Sequence, residues 1–117
     1  MYENLLNGLK VIEKDEALEM LGGEEELLAE LLNSFLTDKK FDFETLKNLE
    51  KTNQKEAASY VHYFKGAARQ LCMKRLALVG QTLEDILREK STGDINELNA
   101  LFFLEYKKAF DEAKKFV

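Results

Sequence analysis

Apolar residues recur along this chain at spacings of three and four, with charged and polar residues between them, the period of helices that bury one face. In "EEELLAELLNSFL", Leu27, Leu28, Leu31, Leu32, Phe35 and Leu36 form a wide apolar stripe behind glutamates that suit the positive end of a helix dipole. Upstream, Ala17, Leu18 and Leu21 share one side of a short helix that Gly22 and Gly23 should stop. After residue 37 the pattern loosens and then resumes with Phe43, Leu46 and Leu49, so the long helix is expected to bend or break near residues 38–41.

Asn53 with Glu56 three residues on resembles a capping box. It opens a helix whose buried stripe is Ala57, Val61, Phe64, Ala68 and Leu71. The next helix carries Leu76, Val79, Leu83, Ile86 and Leu87, with Gly80 marking a tight crossing, and Gly93 is expected to end it. Asp94 with Glu97 caps the last helix, which from Asp94 onward carries a stripe through Leu98 to Phe116 and implies about 24 residues, or roughly 36 Å. Four long helices with short connections predict an all-α fold: an antiparallel up-down four-helix bundle, with a short additional N-terminal helix lying over one end.

Composition agrees, with no proline and six glycines in 117 residues. That length suits one domain over residues 1–117, with its core over 9–117. A net charge of -5 argues against a nucleic-acid or anionic-membrane partner, each of which needs a sustained basic face. No run reaches the 18 or so apolar residues of a membrane span, and the start lacks the basic and apolar regions of a signal peptide. We therefore expect a soluble, cytoplasmic protein. The single cysteine, Cys72, fits a reducing compartment and reads as a small residue at the core edge. One His and one Cys make no closed metal-ligand set, and no cofactor is expected.

The segment "VHYFKGAARQ" holds the only histidine. On a helical wheel Lys65, Gly66 and Arg69 fall within roughly 60° of His62, while the buried stripe lies well away. His62, Lys65 and Arg69 are thus expected to look outward. Gly66 costs about 1 kcal/mol relative to alanine inside a helix, and it removes the side chain that would stand beside the imidazole. Neutral imidazole is a nucleophile that can take a phosphoryl group, and cations on the same face would stabilise the arriving charge. A lone histidine on an exposed face is more often a surface residue without a role, and only its spacing to Lys65 and Gly66 argues otherwise.

His62, Lys65, Gly66 and Leu71, within "VHYFKGAARQLCMKRLALVGQTLE", resemble the histidine-containing phosphotransfer (HPt) domain, whose core pattern is His-x-x-Lys-Gly followed by a leucine. "ALEMLGGEEELLAELLNSFL" resembles the family's approach to that motif, so the likeness spans residues 9–117. The resemblance implies a phosphocarrier without kinase activity of its own. His62 would be the phosphoacceptor at Nε2, Lys65 would assist the phosphoryl group, and Gly66 would give clearance for the partner. It further implies response-regulator receiver domains as partners, a hybrid sensor kinase upstream, and Mg²⁺ held by the receiver alone. A monomeric, free-standing carrier is expected. Many family members have glycine after the leucine, where Cys72 and Met73 stand here, a departure that bears on the turn between the two central helices. An apolar rim around His62 is expected to draw on Leu36, Phe41 or Tyr63. The competing reading is a non-catalytic helical module that docks on a receiver or kinase through the same face.

Overall fold

The computed structural model describes residues 2–117 and is helical throughout its regular elements. After a 3₁₀ turn over Tyr2–Leu6 come α1 (Lys14–Met20), α2 (Glu25–Thr37), α3 (Phe43–Thr52), α4 (Gln54–Gln70), α5 (Lys74–Leu87) and α6 (Ile95–Lys114). Contacts along α4 and α5 run in opposite order: Gln54 reaches the Leu87 carbonyl, while Lys65 reaches Gln81. These helices are therefore antiparallel, as their short connection requires. Helix α5 likewise runs against α6, with Gly80 beside Phe102 and Arg75 beside Glu105. Helix α2 closes the bundle on α6 through Phe35 and Tyr106.

Several local signals act as the sequence implies. Gly22 and Gly23 take left-handed angles of φ +70° and +81°, and the Gly23 amide donates to the Leu18 carbonyl at 2.7 Å to close α1. Asn53 caps α4 by accepting from the Glu56 amide at 3.2 Å, and Asp94 caps α6 by accepting from Glu97 at 3.0 Å. A Cβ on Gly80 would stand 3.0 Å from the Phe102 ring and 3.1 Å from the Lys65 Cβ, so α4, α5 and α6 meet there closely.

One boundary decides between the two outcomes the sequence allowed, and another corrects the sequence reading. The loosened pattern after residue 37 is a full break, so α3 is a separate helix and the fold has more than four helices and a short cover. Asp42 makes the break by accepting from both the Thr45 amide and hydroxyl, at 3.0 and 2.7 Å. The break lets Phe41 turn into the core, where its ring meets Phe64 and Phe102 edge-on at 5.5 and 5.1 Å. Helix α5 stops at Leu87 instead of at Gly93, because Glu89 takes φ +63° and the Lys90 amide returns to the Asp85 carbonyl at 2.8 Å. Gly93 serves packing: a Cβ there would strike the Tyr2 hydroxyl and Ile86.

The turn between α4 and α5 keeps the geometry that a glycine would give. Cys72 has φ +54°, and the Met73 amide donates to the Ala68 carbonyl at 2.9 Å, the bond of a Schellman cap. Cys72 is buried against Met20, and burial pushes its thiol pKa up.

Candidate functional site

Helix α4 is held by the burial of Ala57, Val61, Phe64 and Ala68, which turns the opposite edge of the helix outward. His62 is on that edge, with 59% of its side chain exposed. Gly66, one turn along, has open space where a Cβ would be. Beside them runs a cleft of about 380 Å³ between α2 and α4, lined by Leu31, Ser34 and Phe35 on one wall and His62, Tyr63 and Gly66 on the other. The expected apolar rim is only partly right. Tyr63 is 44% exposed at the cleft, but Leu36 and Phe41 are buried in the core.

Lys65 is not on the open face. It is 5% exposed, and its ammonium donates to Glu84 Oε1 at 2.8 Å and Gln81 Oε1 at 3.0 Å. The wheel of α4 alone puts Lys65 near His62, but α5 covers that flank, and the missing side chain of Gly80 makes room for the lysine stem. Arg69 does remain exposed, and its Nη2 donates to the same Gln81 oxygen at 3.0 Å. Gln81 in turn donates to Asp85 at 2.8 Å, so one amide joins Lys65 and Arg69 to α5.

Glu84 is the residue that the sequence reading missed. Its carboxylate lies 3.1 and 3.2 Å from Nδ1 of His62 and also accepts from Lys65 and from Arg88 Nε at 2.8 Å each. Burial pushes its pKa up, but hydrogen bonds from Lys65, Arg88 and His62 outweigh this and hold it down at about 2. A signal was present: Glu84 is one turn past Gly80 on a face otherwise given to Leu83 and Leu87, where an acid needs a partner across the helix pair.

This geometry fixes the chemistry of the ring. An ionised carboxylate only accepts, so Nδ1 carries the proton and donates to Glu84. In the neutral ring Nε2 then holds the lone pair, on the side away from Glu84. The arrangement sets the tautomer from behind and leaves Nε2 on an exposed side chain, beside the open space at Gly66. Among the described residues no group of His, Cys, Asp and Glu side chains is placed to hold a metal ion. No helix among them is long and apolar enough to cross a membrane.

A family model described as the Hpt domain matches residues 16–115 of the 117-residue chain. Comparison with curated proteins and with solved structures finds no match.

Proposed function

The chain belongs to the Hpt-domain family, whose members carry phosphoryl groups in phosphorelays, and from that premise we propose that His62 is the phosphoryl carrier of this protein. The observation that carries the reading is the pairing of His62 Nδ1 with the ionised Glu84, which leaves Nε2 free at an open face.

Nε2 attacks the phosphorus of an aspartyl phosphate on a receiver domain. A nitrogen–phosphorus bond forms, the phosphorus–oxygen bond to the aspartyl carboxylate breaks, and that carboxylate leaves with the electron pair. The ring keeps its proton on Nδ1 and becomes cationic, a charge that Glu84 faces at hydrogen-bond distance. In the second transfer, a receiver aspartate attacks the phosphorus and the imidazole leaves neutral. Mg²⁺ belongs to the receiver, and this chain needs no cofactor.

Lys65 acts through Glu84. Together with Arg88 it keeps the carboxylate charged and in place, which makes it a positioning residue. Arg69 rests on the neutral Gln81 amide, so its charge remains available to the arriving phosphoryl group. The open space at Gly66 and the adjoining cleft receive the partner. The protein works as a cytoplasmic monomer between a hybrid sensor kinase and a response regulator, with no kinase activity of its own.

Incubation with a phosphorylated receiver should label the protein with an acid-labile, alkali-stable phosphate. A label that persists in His62→Gln would sink the assignment.

A further inference from the structure

On the side formed by α3, α6 and the connection before α3, lysines lie over three phenylalanine rings. Lys47 is over Phe43 and Lys107 over Phe103, each 5.3 Å from the ring centroid. Phe110 is covered from two sides, by Lys40 at 5.7 Å and Lys114 at 4.8 Å. The rings of Phe43 and Phe103 are 5.4 Å apart and join the two helices into one surface. All three phenylalanines are only half-buried.

Elsewhere on and just after α6, Lys108 pairs with Glu105 and Lys115 with Glu112. Lys40, Lys47 and Lys107 form no salt bridge among the described residues, although the charge of Lys47 reaches Glu50, and Asp111, in the same patch as Lys40 and Lys107, stands 3.9 Å from Lys114. Four lysines and one aspartate around half-exposed rings form a locally basic and apolar face on a chain whose net charge is -5. None of these residues lines the cleft beside His62.

We propose that this α3–α6 face is a second docking surface, and that its occupant is an acidic, leucine-rich or aromatic segment of a protein partner. Carboxylates of such a segment meet the four lysines, and its apolar side chains lie on Phe103 and Phe110. Size favours a segment over a membrane or nucleic acid. A short segment feels only the local field, because charges beyond a screening length of about 8 Å are damped. An extended polyanion would also meet the acidic start of α2, where Glu24, Glu25, Glu26 and Glu30 lie. A partner held here leaves His62 open, so tethering and phosphoryl transfer use separate faces.

The test is a titration of isotope-labelled full-length protein with a short synthetic peptide alternating glutamate and leucine, followed by NMR. Shift changes should centre on Lys47, Phe103, Lys107, Phe110 and Lys114, and the affinity should fall with added salt. In Lys107→Glu/Lys114→Glu it should fall by about tenfold or more, and in the milder Lys107→Gln/Lys114→Gln by less. Shift changes at the His62 cleft, or equal affinity in the charge-reversed variant, would overturn the proposal. So would tighter binding of this face to phosphatidylserine vesicles or duplex DNA than to the peptide. His62→Gln should bind the peptide unchanged, which separates this surface from the phosphocarrier reading.

Discussion

Nδ1 of His62 and Oε2 of Glu84 are 3.1 Å apart, although the two residues belong to different helices and one is exposed while the other is buried. The bond ties an exposed nucleophile to the interior through a carboxylate that Lys65 and Arg88 also hold. Replacing Glu84 with Gln should slow transfer from a phosphorylated receiver by roughly ten- to a hundredfold, because the ring loses its set tautomer and orientation. Nitrogen NMR of the imidazole should report the Nδ1–H form in the wild type and a mixture in the variant. An unchanged rate would remove Glu84 from the mechanism.

The same carboxylate makes stability depend on acid. Its folded pKa of about 2 lies below the ordinary glutamate value of 4.5, so its contribution is present above pH 4.5 and is lost as pH falls toward 2. The shift corresponds to an effect on the order of 3 kcal/mol. Urea midpoints measured through this window should fall more steeply for the wild type than for Glu84→Gln. Parallel curves would show that the shift is absent.

Removal of Lys65 should affect stability as well as rate. Lys65→Met keeps the buried stem but leaves Glu84 without one of its two cations, and it should cost about 2 to 3 kcal/mol in urea unfolding. Transfer should slow in parallel with loss of the Nδ1–H signal. A variant as stable as the wild type would contradict the buried pairing.

At Gly66 stability and function should separate. With nothing within 4 Å of an added Cβ, Gly66→Ala should gain about 1 kcal/mol from helix propensity, or roughly 4 °C in thermal midpoint. The same methyl stands in the clearance beside His62, so transfer from a receiver should slow. A stabilised variant with full transfer rate would show that the glycine is not there for docking.

Much of this was readable from the chain. The glycine stop after α1, the caps at Asn53 and Asp94 and the side of α4 that carries His62 all depend on residues close in sequence, so spacing reports them. Tertiary neighbours decided the rest. The wheel of α4 places Lys65 by its own helix, but α5 buries it. Glu84 is 22 residues from His62, and no local period links them. The break before α3 rests on the Asp42–Thr45 cap together with the demand of the core for Phe41, and only the cap is local. The Cys72 substitution raised the prospect of a different turn, yet the residue adopts the left-handed angle that glycine would take.

That turn gives the protein a built-in clock. Cys72 carries the chain's single thiol, is 5% exposed, and forms the closing bend between α4 and α5. A thiol-alkylating reagent reaches it when Met20 and the bend part, so the labelling rate of native protein reads local opening around the turn that joins the two central helices. The Lys65–Glu84 bond joins those same helices. Any change that phosphorylation of His62 makes in their cohesion will therefore register as a change in alkylation half-life at a sulfur ten positions along the chain, with no probe attached to the face where a receiver docks.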